Sequence, residues 1–127
     1  MPYPVGDDRI EEAEALLGRR LPGGLRDRLM RDNGGEIEVD GYPGDNSIWF
    51  LHPVWAPTDR RRISRTANHI VGETREAHDT IGDLPAGSVV IAANGTGDLL
   101  LLPADRDDVV WWDHETGEIE PVVVNWS

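Results

Sequence analysis

The chain of 127 residues has no cysteine. A disulfide framework, a zinc–thiolate site, an iron–sulfur cluster and a cysteine nucleophile are therefore excluded. It also has no lysine, and all twelve basic residues are arginine. That removes a P-loop lysine, a Schiff-base lysine and a lysine general base. Positive charge is scarce: 12 basic residues face 24 acidic ones, for a net charge of −12. Such a balance argues against nucleic acid or an anionic membrane as the main partner, and it suits a basic protein partner. Long apolar runs are missing too. Val89–Ala93 and Leu99–Leu102 are strand-sized, far below the ~20 residues that cross a bilayer. The opening Met1–Asp8 has neither a basic nor an apolar region of the signal-peptide kind. The expectation is a cytoplasmic chain forming a single domain over residues 1–127, which at this length buries roughly two thirds of its extended surface.

Asp7 or Asp8 is placed to cap a helix to about Leu17, with Ile10, Ala13, Leu16 and Leu17 at helical spacing. Gly18 ends it, and Pro22 opens a second helix carrying Leu25, Leu29 and Met30. Asn33, Gly34 and Gly35 supply the turn that stops this helix. Glu36–Val39 alternates and reads as an edge-like strand, and Ser47–Leu51 reads as a buried one. Thr58 can cap a helix to about Ala77, with Gly72 weakening its middle by ~1 kcal/mol relative to alanine. Four strands follow: Ser88–Ala93, Asp98–Leu102, Val109–Trp112 and Ile119–Val124. Hairpin turns at Asn94–Gly97 and Asp113–Gly117 join them. Leu99–Leu102 does not alternate, which places it centrally with both faces covered. Helices grouped on such a meander give an α+β fold: an antiparallel-rich sheet with the N-terminal helices and one central helix packed on it. Leu17, Leu29, Ile48, Ile91, Leu100 and Trp112 are the expected core.

Residues able to carry chemistry are few. His52, His69 and His78 lack ligand spacing, and no HExxH accompanies them. No serine stands in a nucleophile elbow. The turn with Gly95 and Gly97 leads into a strand, so it is not a phosphate cradle, and Asp98 behind it reads as a carboxylate accepting the turn's N–H groups. His114, between Asp113 and Glu115, reads as a turn residue. A small hydrolase using Asp98, Asp113 and His114 is the catalytic alternative. Arg60, Arg61, Arg62 and Arg65 form the one basic cluster, read as a solvated helix face. Acidic residues gather in loops: Asp40 and Asp45; Asp105, Asp107 and Asp108; then Asp113, Glu115, Glu118 and Glu120. Five of the eight aromatics are tryptophan, a residue favoured at interface hot spots. Alternation sets Trp111 and Trp112 on opposite faces.

Three stretches together resemble the SUKH superfamily, shared by fungal cell-wall assembly regulators and many bacterial immunity proteins. They are Ile10–Glu14 with Leu17-Gly18, Leu21-Pro22 and Asn33-Gly34-Gly35; Ile91–Leu102 with its Gly-rich turn and Asp98; and Val109–Glu115, which looks like the family's "WDHE" strand and turn. The matched stretches cover about half the chain. The family's usual C-terminal helix has no counterpart after Val124. The resemblance implies a SUKH-like fold and a non-enzymatic binding module without cofactor or metal. It implies an immunity protein of a bacterial polymorphic toxin system that neutralises a cognate toxin, with a regulatory interaction module as in the fungal members as the alternative. It also places Trp112 in the core, leaving Trp111 under the helices or exposed. The acidic charge implies a basic, nuclease-like toxin. The expected partner-binding residues are Asp40, Tyr42, Asp45, Asp105, Asp107, Asp108, Trp111 and Glu115. Asn33, Gly34, Gly35, Gly95, Gly97 and Asp98 are the expected structural turn residues.

Overall fold

The computed structural model describes residues 5–42, 48–55, 69–104 and 106–126. Asp45, Asp105, the arginine cluster at 60–65 and the start of the helix expected from Thr58 lie outside the described residues.

Helix α1 spans Asp7–Leu17 and α2 spans Gly23–Arg31. The N-cap of α1 is Gly6, which has no side chain to offer. Asp7 and Asp8, expected as caps, instead occupy the first turn, where their charge meets the positive end of the helix dipole. Gly18 closes α1 in the left-handed conformation, with φ 77°. The turn that follows is tied by Glu14, which is buried on the same face as Ile10 and Ala13. Its carboxylate accepts the Leu21 backbone N–H at 2.6 Å and lies 3.5 Å from the Arg26 guanidinium. Pro22 is the N-cap of α2, which buries Leu25 and Leu29.

Seven strands form one antiparallel sheet: β1 Gly35–Asp40, β2 Trp49–Leu51, β3 Val89–Asn94, β4 Leu99–Leu102, β5 Val110–Trp112, β6 Ile119–Pro121 and β7 Val123–Asn125. The spatial order is β6-β5-β4-β3-β2-β1-β7. The meander β3 to β6 runs as neighbours, as the sequence indicates; β4 is an interior strand between β3 and β5, while β3 holds the middle place of the seven. Two expectations are corrected. Ile119–Val124 is not one strand: it breaks at Val122, and β7 leaves the meander to pair with β1 at the far end. Consequently β1 is not an edge strand, because β2 flanks it on one side and β7 on the other. One residue separates the two end strands of a seven-stranded sheet, so the sheet must curl until its ends nearly meet, close to a barrel.

Helix α3 spans Ile70–Thr80. His69 is its N-cap, the ring Nδ1 accepting the Gly72 N–H at 3.1 Å. Gly72 thus stands in the first turn of this helix rather than in its middle. The helix lies along the first half of β3. Val90 donates its N–H to Thr74 Oγ1 at 2.9 Å, and the His78 ring bonds the Ser88 carbonyl at 2.7 Å. These side chains take up backbone groups that the short β2 leaves without a ladder partner.

Apolar side chains divide into two clusters. The larger joins Ile10, Leu25 and Leu29 of the helices to Trp49, Ile91, Leu100 and Trp111 of the sheet. The smaller holds Val90, Leu101, Val110 and Trp112 against Ala77 and Leu84. The register shift in β3 between Val90 and Ala92 lets neighbouring residues serve both clusters. Trp111 and Trp112 do face opposite ways. Both are buried, Trp112 in the smaller cluster and Trp111 in the larger. Of the expected core, Leu29, Ile91, Leu100 and Trp112 are buried and Leu17 is half-buried. Ile48 is 51% exposed: it precedes β2 on the outward side, so its apolar character does not indicate burial.

Candidate functional site

The densest polar constellation among the described residues centres on Asp98. The β3–β4 turn that presents it is set by Asn94, whose Oδ1 accepts both the N–H (3.1 Å) and the hydroxyl (2.7 Å) of Thr96. Gly97 has φ 100°, and a Cβ built there would lie 3.3 Å from the His114 ring. Glycine is needed for both the conformation and the close approach. Gly95, expected to share that role, has no positive φ and open space around it.

The Asp98 side chain is buried and accepts four hydrogen bonds. Tyr42 Oη (2.7 Å) and Trp111 Nε1 (3.0 Å) donate to Oδ2. The His114 backbone N–H (3.0 Å) and its ring Nδ1 reach Oδ1. A carboxylate has about four lone-pair directions, so none is left. The expectation that Asp98 caps its own turn is corrected: it fastens the following hairpin and the loop after β1. Burial pushes its pKa up, but the donations from His114, Tyr42 and Trp111 outweigh burial and hold it below the usual carboxylate value. The bond to Asp98, opposed by a smaller desolvation effect, raises the pKa of His114.

Tyr42 is wedged edge-on between Trp49 and Trp111, with ring centroids at 5.1 and 4.8 Å. Its hydroxyl also accepts from Asn94 Nδ2 at 3.1 Å. Tyr42 and Trp111 are expected partner anchors, Trp111 only if exposed rather than under the helices, where it in fact lies. Both are corrected: Trp111 is buried with its indole N–H engaged, and Tyr42 is half-buried with its hydroxyl bonded on two sides.

Ligating atoms of Asp98, Asp113 and His114 lie within 4.8 Å of one another. A cation there would have to displace the donors that already occupy Asp98, His114 Nδ1 among them. A general base likewise needs a lone pair within reach of substrate, and Asp98, 4% exposed, has none to offer. The arrangement is a cross-link between the loop after β1 and two hairpins.

The remaining candidates are scattered over different elements. Asp40 is exposed at the end of β1, opposite Val123. Glu115 is exposed in the β5–β6 turn, where its N–H donates to Asp113 Oδ1 at 2.8 Å. Asp107 pairs with Arg19 at 2.9 Å, and Asp108 pairs with Arg106. The acidity of the loop before β5 is therefore partly answered from within the molecule.

Two structural residues were open to sequence reasoning in part or not at all. Asn33, expected only as a turn residue, is buried and pairs with Val54 like a strand: Nδ2 donates to its carbonyl (3.0 Å) and Oδ1 accepts its N–H (2.8 Å). Glu14 was missed, although its place on the apolar stripe of α1, four residues after Ile10, is the signal that marks a buried charge. His52 follows β2 and is buried; desolvation lowers its pKa to about 4, so it is neutral near pH 7.

No described helix is long and apolar enough to cross a membrane. Neither the curated proteins nor the solved structures contain a match to this chain. The pattern of one family, SMI1 / KNR4 (SUKH-1), matches residues 4–127, essentially the whole length. With that match across the three described helices, the sheet and the Asp98 turn, the chain belongs to the SMI1 / KNR4 (SUKH-1) family.

Proposed function

We propose that the chain is an immunity protein that binds a cognate toxin domain in the bacterial cytoplasm and covers its active site, making and breaking no bond. Proteins of this family are generally non-catalytic binding modules with immunity or regulatory roles, which gives the coarse reading. One observation carries it further. The buried carboxylate that could have served catalysis has every acceptor site filled by structural donors. What the molecule offers a partner is therefore surface, and that surface carries a net charge of −12. A protein of this charge complements a basic groove such as a nuclease uses for phosphates. The reading expects a toxin domain encoded beside the gene, and co-expression with that domain tests it. The expected result is restored growth and a stoichiometric complex. Absence of both would overturn the immunity role and favour a regulatory interaction module.

A further inference from the structure

We propose that the outward face of β7, β1 and β2 is the docking surface, and that its occupant is a basic protein surface presenting arginine or lysine on either side of an apolar side chain. This rests on the binding-module reading and gives it a location and a partner chemistry.

The strand register sets the face. Glu36 lies opposite Phe50, Glu38 opposite Asn125 and Asp40 opposite Val123. Side chains at paired positions share a side of the sheet. The alternate positions Ile37 and Trp49 point the other way and are buried in the core. On the outward side Ile48 is 51%, Phe50 50% and Val123 68% exposed. Phe50 and Val123 thus stand on the two strands that flank β1, with Ile48 just before β2. The ladder from Phe50 continues through Ala93 and Leu99 to Trp112, and there the same side of the sheet is covered by the smaller cluster. The cover does not reach β2 and β1.

Charge selects the occupant. Glu36, Glu38 and Asp40 stand on alternate residues of one strand, about 6.8 Å apart. No ion pair among the described residues reaches them, whereas Asp107 and Asp108 are both paired. Glu38 has only a long 3.5 Å hydrogen bond from Asn125. A groove of about 750 Å³ runs along these carboxylates and Ile48. Its α2 end is marked by Arg28 and Arg31, whose guanidinium groups are held by the carbonyls of Asp32 and Glu36 and of Trp126. A second copy would bring the same carboxylates against themselves, and a nucleic acid or anionic membrane would be repelled. Cations from a partner relieve the repulsion along β1, and the apolar side chain between them covers Phe50 and Val123.

The test has two arms. In the first, the ¹⁵N-labelled protein is titrated with an acetylated pentapeptide alternating arginine and leucine, and with a glutamine–leucine control. Amide shifts are expected at residues 36–40, 48–50 and 123–125 with the arginine peptide only, weakening at least tenfold in 0.5 M salt and in a Glu38→Gln/Asp40→Asn variant. Shifts centred on 106–108 or 113–120, equal binding of the control, or no effect of the variant would overturn the proposal. In the second arm, Glu38→Lys and Val123→Ser are each expected to weaken binding of the linked toxin domain at least tenfold, and Asp107→Asn/Asp108→Asn less than twofold. The reverse order would overturn it. If the toxin domain does not bind at all, the immunity reading falls while the peptide arm still decides the face.

Discussion

Replacing Asp98 by asparagine keeps the shape of the side chain and exchanges one acceptor oxygen for a donor. In one amide orientation the new NH₂ faces Tyr42 and Trp111; in the other it faces His114. The Tyr42 hydroxyl can rotate to accept, and a neutral His114 ring can change tautomer. The Trp111 indole N–H and the His114 backbone N–H cannot. Either orientation leaves one fixed donor facing another, at ~1–3 kcal/mol, and the remaining bonds lose the charge that strengthened them, for a total of about 2–4 kcal/mol. That is a large share of the ~5–15 kcal/mol typical of a folded domain. An unfolding entropy of roughly 2.1 cal/mol/K per residue over 127 residues makes 1 kcal/mol worth about 4 °C. Asp98→Asn is therefore expected to lower Tm by about 8–16 °C. Circular dichroism melts and urea titrations followed by tryptophan fluorescence measure this. Trp111→Phe should show favourable coupling with Asp98→Asn in a double-mutant cycle, because it removes one of the two fixed donors in conflict. A loss below about 0.5 kcal/mol, the range of an ordinary surface substitution, would refute the four-donor network.

Three further outcomes follow from the same geometry. Burial lowers the His52 pKa to about 4, so the unfolded chain takes up the proton first as pH falls below ~6.5; stability should drop by about 3 kcal/mol between pH 6.5 and 4 from this residue, and urea midpoints of a His52→Gln variant should lack that component. Asn33→Ala leaves both polar groups of Val54 without their partner and should cost about 2–4 kcal/mol, read as a lowered urea midpoint with faster amide exchange at Val54. Gly97→Ala puts a side chain at φ 100° and 3.3 Å from the His114 ring, so it should cost about 1–3 kcal/mol and lower the His114 pKa, measurable by NMR titration, as the ring leaves Asp98.

Local pattern carried the meander. Its turns are written in side chains that act on their own backbone: Asn94 on Thr96, and Asp113 on Glu115. The end of α1 at Gly18 was legible for the same reason. The path of the last strand was not, because nothing in Ile119–Val124 says that Val122 parts two strands whose partners lie at opposite ends of the sheet; that is decided by closure of the whole sheet. Without it, β1 looks like an edge, and only Asp40 of its three carboxylates stands out as a partner residue, with Glu36 and Glu38 looking like ordinary solvent contacts. The Asp98 site was half legible. The turn motif identified the residue and its neighbours, yet the donors come from three separate elements, and only their convergence shows that the carboxylate is structural. The aromatic anchors failed in the same way: Tyr42 and Trp111 are the residue types expected at an interface, but their polar tips were already taken up inside the fold. Charge counting spread the partner surface over Asp40, Asp45, the loop before β5 and Glu115; the pairing of Asp107 with Arg19 and of Asp108 with Arg106 in that loop could be seen only in three dimensions.

The proposal that this acidic protein acts by binding a basic partner is tested most directly by association kinetics, across a salt series, with any toxin domain that genome sequencing finds encoded beside its gene. Screening acts over ~8–10 Å at 0.1–0.15 M ionic strength, so steering by exposed carboxylates should appear as an on-rate that falls steeply as salt rises, while the off-rate follows the apolar contact. A salt-independent on-rate, or no association at any ionic strength, would contradict the account.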